Sequence, residues 1–234
     1  MTDRTPLVLV PGLLCDRALW RHQIDHLAEV AEVTVADVTA GQSIGAMAEA
    51  VLAQAPPGRF ALAGLSMGGY VSFEIMRRAP ERVLRLALLD TSARLDTPEQ
   101  RERRLAFIAQ CGQGDFQGVT SRLLALFVHP HRLADKALVE AVTAMAKRVG
   151  KDAFLRCQQA IIGRPDSRPR LGEIVKPTLV LVGREDALTP LEVHLELAAR
   201  IPSAKLVVIE NCGHLSTMER PEAVTAVMRY WLQD

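Results

Sequence analysis

The stretch Gly64-Leu65-Ser66-Met67-Gly68, with Gly69 behind it, sets one serine between glycines two positions before and two positions after. An apolar, strand-like run, Phe60-Ala61-Leu62-Ala63, leads into it, and a helical pattern follows. A strand that reverses at once into a helix leaves the residue at its apex prominent and strained. Side chains two positions either side would collide there, which calls for glycine. A serine so displayed is a nucleophile waiting for a base. The helix that starts behind it offers unpaired N–H groups and the positive end of a dipole, both suited to a developing oxyanion. A glycine-rich turn with an ordinary helix-capping serine would read the same over five residues, so the companions decide.

Two companions stand at strand ends. Asn211-Cys212-Gly213-His214 follows the run Lys205 to Ile209, and Gly183-Arg184-Glu185-Asp186 follows Thr178 to Val182. Both loops belong to the carboxyl edge of the sheet, where open α/β folds bind ligands. His214 there could take the Ser66 proton, and Asp186 could hold the imidazole tautomer and stabilise the imidazolium. The chemistry of such a set is acyl transfer to water, with no metal and no organic cofactor required. Asp90, at the end of the fourth strand, is the rival for the acid, although Asp90-Thr91-Ser92 also reads as a turn; Asp16 and Asp37 read as loop anchors.

The elements that must position these residues alternate along the chain. Buried-type strands are expected at Leu7 to Val10, Val33 to Val38, Phe60 to Gly64, Leu84 to Leu89, Thr178 to Val182 and Lys205 to Ile209. Helical patterns intervene at about 18–31, from Ser43 to about Ala55, after Ser66, near 191–200, and from Pro221 onward, a proline suiting a first helical turn. The alternation predicts a mainly parallel, six-stranded sheet with helices on both faces. From Ala93 to Leu171 the rhythm turns wholly helical, with stretches at 99–110, 117–127, 133–149 and 151–162, before the proline-rich return 164–169. The expected organisation is therefore an α/β core, 1–92 and 173–234, with a helical cap, 93–172, laid over it.

The remaining candidates have plainer readings. His22 and His26 share a helix face but no third ligand stands near, and His129-Pro130-His131 reads as a linker between helices. Cys15, Cys111, Cys157 and Cys212 show no paired or zinc-type spacing and are expected as reduced thiols in a cytoplasmic protein. Cys212 could edge the pocket. Leu123, Leu124, Leu126, Phe127 and Val128 form an apolar patch of the cap; Phe127 and Leu14, with Leu13 and Met67, are candidates for a substrate wall. Arg156, Arg164 and Arg168 could meet a substrate carboxylate or simply face solvent. With 28 Lys plus Arg against 27 Asp plus Glu the formal charge is +1, which creates no field for nucleic acid or an anionic membrane and favours a small organic substrate. The N-terminus leads directly into a strand without a leader-like apolar run, and no run reaches membrane-spanning length. A monomer or small homo-oligomer is expected.

Taken together, the serine motif, Leu9-Val10-Pro11-Gly12-Leu13-Leu14, Asp37-Val38-Thr39-Ala40-Gly41-Gln42-Ser43, Gly183-Arg184-Glu185-Asp186 with Thr189-Pro190, and Gly213-His214 with Glu219-Arg220-Pro221-Glu222 resemble α/β-hydrolases with a helical cap. The resemblance is nearest to small carboxylesterases and to pimeloyl-ester esterases and enol-lactonases, and it spans nearly the whole chain. It implies a Ser66–Asp186–His214 triad in the family's chain order and an oxyanion hole made by the backbone N–H groups of Met67 and Leu13. Pro11-Gly12 stands where most relatives carry His-Gly, so the loop holding Leu13 lacks its usual brace. The chain opens at the strand that comes third in the family pattern. Ester or lactone hydrolysis is the activity implied. Carbon–carbon bond hydrolysis, thioester hydrolysis or acyl transfer would use the same triad, and a non-catalytic binding protein would keep only the fold.

Overall fold

A computed structural model describes residues 4–113, 116 and 118–234 of the chain. Met1, Thr2 and Asp3, where the leader reading began, lie outside the described residues, as does Gln117, the expected start of a cap helix. Six strands form one sheet: β1 (Thr5–Val10), β2 (Ala31–Val35), β3 (Phe60–Leu65), β4 (Val83–Leu89), β5 (Thr178–Gly183) and β6 (Ala204–Ile209). Their order is β2-β1-β3-β4-β5-β6, and every neighbouring pair is parallel. Strand order reverses at β1 and β3, so the loops after these two strands open a crevice between them.

Both faces of the sheet are covered, which is why the inner strands β3 and β5 are buried throughout and read as unbroken apolar runs, while the edge strands β2 and β6 admit Glu32 and Lys205. Leu7, Leu9, Ala61, Ala63 and Leu65 enter one core cluster, and Val8, Val10, Phe60 and Leu62 enter the other. Helices α1 (Arg21–Leu27) and α9 (Pro221–Gln233) pack on the first side, where Leu27, Val224 and Met228 join the core. On the second side lie α2 (Ile44–Gln54), α3 (Met67–Arg78) and α7 (Leu191–Arg200), bringing Met47, Val51, Val71, Ile75 and Leu197. Ser43 caps α2 by accepting from the N–H of Ala46 at 3.1 Å.

Several boundaries differ from the sequence expectation: the helices expected from 117 and 133 begin at Ser121 and Lys136, where Thr120 and Asp135 cap them by accepting from the N–H groups of Leu123 and Leu138. The first helical segment is a short 3-10 turn, Arg17–Trp20, continued by α1, and it stops at Leu27 because Val30 N–H turns back to the Leu27 carbonyl and β2 begins at Ala31. The second strand ends at Val35, not Val38. Ala36 N–H still reaches the Leu9 carbonyl, after which the Asp37 carboxylate takes both the N–H and the hydroxyl of Thr39 and turns the chain.

Between β4 and β5 run α4 (Pro98–Gln113), α5 (Ser121–Phe127) and α6 (Lys136–Ile162). The last is broken at Gly150, whose φ of 78° and ψ of 172° leave the helical region, a conformation glycine adopts without a Cβ penalty. The two expected helices 133–149 and 151–162 thus meet at a glycine joint. This helical segment shares core with the sheet: Phe127, Val142, Met145 and Phe154 belong to one cluster, Cys157, Ala160 and Ile161 to the other. No helix among the described residues is long and apolar enough to cross a membrane.

Candidate active site

Ser66 is the single residue between β3 and α3, held at φ 56°, ψ −116°. For a non-glycine residue this conformation costs about 1–3 kcal/mol, and the surroundings must over-determine it. They do: Ser66 N–H donates to the Leu89 carbonyl at 3.0 Å, while its carbonyl accepts from Gly69 N–H at 2.9 Å and from the Thr91 hydroxyl at 2.7 Å. Among the described residues the other non-glycine residues at positive φ, Leu14, Asp90 and Asn211, follow β1, β4 and β6, so the strain collects at one edge of the sheet. Crowding explains the flanking glycines. A Cβ on Gly64 would overlap the Gly68 carbonyl, and one on Gly68 would overlap the Val10 carbonyl. Gly64→Ala or Gly68→Ala is expected to destabilise the protein by about 2–3 kcal/mol, seen by calorimetry as a melting temperature lowered by roughly 4–10 °C; an unchanged melting point would contradict the crowding.

The loops after β5 and β6 bring two more side chains to this point. His214 Nε2 lies 2.9 Å from Ser66 Oγ, and His214 Nδ1 lies 2.9 and 2.8 Å from the two carboxylate oxygens of Asp186. Asp186 also accepts from the N–H groups of Leu188 and Thr189 and from the Thr189 hydroxyl. Both Asp186 and His214 are buried. Burial works against a charged imidazole, but the Asp186 carboxylate and its hydrogen bond, with the charges of Asp90 and Glu219 behind it, raise the His214 pKa above its ordinary value. Burial likewise opposes ionisation of Asp186, yet His214 and Thr189 hold its pKa below the usual carboxylate range.

Two further buried carboxylates brace these loops, roles that local sequence patterns do not announce. Asp90 is not against His214. Its Oδ1 accepts from Gly183 N–H at 3.0 Å and its Oδ2 from the N–H and hydroxyl of Ser216, which opens α8 (Ser216–Glu219). It thereby ties the loop of Asp186 to the loop of His214. Burial, then the neighbouring Asp186 charge, pushes its carboxyl up to about 8. Glu219 accepts from Gly213 N–H at 3.0 Å and from His129 N–H at 2.8 Å, and the Phe127 carbonyl accepts from both His214 N–H and Leu215 N–H. The end of α5 is in this way fastened to the histidine loop, with the Phe127 ring stacked 6.0 Å from the imidazole.

The loop after β1 lies alongside Ser66, since a Cβ on Gly12 would stand 3.2 Å from that of Ser66. Among the described residues no hydrogen bond engages the backbone N–H of Leu13 or of Met67. A cavity of about 310 Å³ opens here, lined by Ser66 and His214, by Leu13 and Phe127, and by residues of α4 and α6. Leu14 and the Met67 side chain are absent from that wall: at φ 61° Leu14 turns into the core, and Met67 packs under α3 in the other cluster. Cys212 is wholly buried rather than at the pocket edge, and burial pushes its thiol far up. Cys15 does line the cavity, with a thiol pushed up to about 12 mainly by burial, so it supplies no thiolate near neutral pH. Of the three arginines singled out, only Arg164 reaches the cavity; Arg156 donates to the Thr39 carbonyl and Arg168 pairs with Asp166. His22 and His26 stack on each other, His22 bonding Thr225.

This architecture has known counterparts. The chain is similar to a pimeloyl-[acyl-carrier protein] methyl ester esterase of Nitrosomonas europaea, at 27% identity over 92% of this chain and 91% of the relative. It is also similar to a 2-hydroxy-6-oxononadienedioate/2-hydroxy-6-oxononatrienedioate hydrolase of Klebsiella pneumoniae, at 29% identity over 73% of this chain and 61% of the relative. A thermophilic esterase from Thermogutta terrifontis superposes with a TM-score of 0.88 and 31% identity, covering 98% of this chain and 89% of its own. A sequence profile described as alpha/beta hydrolase fold matches residues 5–221, and with the six-stranded sheet and the edge on which Ser66 stands, the chain belongs to the α/β-hydrolase family.

Proposed function

We propose that the protein is a serine hydrolase that cleaves a carboxylic ester or lactone of a small-to-medium organic substrate through an acyl-enzyme. The observation that carries this reading is the unbroken relay from Ser66 Oγ to His214 Nε2 at 2.9 Å and from His214 Nδ1 to Asp186. In the proposed cycle His214 takes the Ser66 proton as Oγ attacks the carbonyl, then returns it to the leaving alkoxide. Water, deprotonated by the same imidazole, releases the acid. Asp186 keeps Nδ1 protonated and stabilises the imidazolium without itself taking the proton. The free N–H groups of Leu13 and Met67 form the oxyanion hole, each contributing about 2.7–4 kcal/mol to lowering the barrier. Residues 93–172 act as the cap, placing Phe127 over the imidazole. The names of the esterase relatives support the ester reading.

Labelling by a fluorophosphonate tests it. The reagent should modify Ser66 stoichiometrically and abolish turnover of aryl esters, and an unlabelled Ser66 in folded protein would overturn the reading. A second reading, carbon–carbon bond hydrolysis on the same triad, is favoured by the name of the Klebsiella relative; turnover of a vinylogous diketone with inactivity on simple aryl esters would establish it. The base must be neutral to act, so a raised His214 pKa moves the acid limb upward. The acid-side midpoint of kcat/KM is expected above about 6.5, and a pH–rate series that places it lower would contradict the Asp186 pairing.

A further inference from the structure

The cavity wall supplied by the helical segment is strongly cationic. Among the described residues Arg94, Arg103, Arg104 and Arg164 line it against a single acid, Asp96, in a chain whose formal charge is only +1. Arg94 is met by Glu196 from outside the cavity. Asp96 has two claimants: its Oδ2 accepts from Arg104 Nε at 2.7 Å, and its Oδ1 stands 2.9 Å from Arg164. Although burial opposes it, hydrogen bonds from Arg164 and the charge of Arg104 keep Asp96 ionised, below its ordinary pKa. One carboxylate between two guanidiniums still leaves a positive charge over, in a network where the side chains of Asp96 and Arg164 are only 7% and 5% exposed. Arg103 precedes Arg104 on α4 and meets no acid among the described residues. Gln100, Arg103, Arg104 and Phe107 recur at three- and four-residue spacing, so one face of α4 is turned to the cavity.

Gln158 of α6 adds an independent observation. Its side chain is buried at 3% exposure and lines the same cavity. Its Oε1 accepts from Arg104 Nη1 at 2.9 Å, which settles the orientation of the amide because a guanidinium can only donate. Nε2 then points no hydrogen bond at any described residue. Gln158 thus offers the cavity a donor that no described side chain or carbonyl takes, beside the half-buried Arg104 and the exposed Arg103, and a single anion there would accept from the amide and from the guanidiniums together.

We propose that Arg103, Arg104 and Gln158 form a subsite for a carboxylate carried by the substrate, remote from the carbonyl that Ser66 attacks. The substrate is accordingly an acidic ester or lactone. The planar fork of a guanidinium matches a carboxylate, and charge-assisted hydrogen bonds make such a subsite selective. This assignment rests on the serine-hydrolase reading for its kinetic form, but binding of the anion does not need turnover.

The test compares monomethyl esters of straight-chain diacids, succinic to suberic, with methyl esters of monoacids of equal carbon number. At the best length kcat/KM for the acidic ester should exceed that of the neutral one by about tenfold or more, the scale of a charge-assisted hydrogen bond. Gln158→Glu keeps the shape and the acceptor for Arg104 but replaces the free donor and cancels the surplus charge. It should bring that ratio to one or below, and Arg103→Ala should reduce it severalfold. A merely structural Gln158 would be served as well by glutamate and leave the ratio intact. Calorimetric titration with glutarate reads the subsite without catalysis, and the affinity should fall at high salt and in Gln158→Glu. Equal or better turnover of neutral esters by the parent protein, or a preference for acidic esters that survives both substitutions, overturns the subsite while leaving the hydrolase standing. Glutarate binding without fluorophosphonate labelling overturns the hydrolase and keeps the subsite.

Discussion

Ser66→Ala is expected to lower kcat on any ester substrate by about 10⁴–10⁶-fold, and His214→Ala by a similar factor, because members of such a relay act as a unit. The double variant should be no worse than either single one, a non-additivity that separates a shared mechanism from two independent losses. Stability should barely change in Ser66→Ala. Its backbone is held by bonds to Leu89, Gly69 and Thr91 that do not involve Oγ, and the φ of 56° persists with alanine in place. Rates on an aryl ester together with a thermal melt check both halves. Near-parental activity in either single variant would remove Ser66 or His214 from the mechanism, and additive losses would break the relay.

Asp186→Asn is expected to cost about 10⁴-fold in kcat, since the amide leaves the imidazole in the wrong tautomer and removes the charge that favours the imidazolium. The informative partner is Asp90→Asn. Asp90 also sits buried at a strand end, but its oxygens go to Gly183 and Ser216 and not to the imidazole. An amide keeps the acceptor for Gly183 N–H and can donate to the Ser216 hydroxyl, giving up only the long bond from Ser216 N–H, so the expected loss is about tenfold or less. Steady-state kinetics of the two variants at pH 7 decide between the acids: if Asp90→Asn is the crippling one, the role assigned to Asp186 is wrong. Comparable losses in both would mean that the clamp on the two loops matters as much as the relay.

What could be read from the chain divides along physical lines. Parallel strands buried on both faces must be apolar throughout, so Leu7 to Val10, Phe60 to Gly64 and Thr178 to Val182 were visible as runs, and the six-stranded sheet followed. The glycines at 64 and 68 are a steric demand local to five residues, and that local demand pointed to Ser66. Loops after strands were legible as places, hence Asp186 and His214 as candidates at one edge. Their contacts were not legible, because a hydrogen bond across 28 or 148 positions depends on strand order and register. The boundaries at Leu27 and Val35 are invisible to periodicity because a turn carbonyl and the Asp37 side chain end those elements.

Side-chain direction was the other thing hidden. Leu13 and Leu14 are adjacent and chemically identical, yet one lines the cavity and the other, at positive φ, enters the core. Residue type alone gives Arg156, Arg164 and Arg168 equal standing, and only packing separates the one that faces the cavity from the two that do not. Gln158, Arg103 and Arg104 carried no signal at all, since a glutamine or arginine in an amphipathic helix defaults to solvent. By itself, then, the sequence determined the layered α/β architecture and the residue types able to perform acyl transfer, since both rest on local sterics and on burial patterns a few residues long. Which carboxylate meets the imidazole, which braces it, and where the cavity holds its unmatched charge were decided only by the tertiary structure, because those are properties of groups brought together from distant parts of the chain.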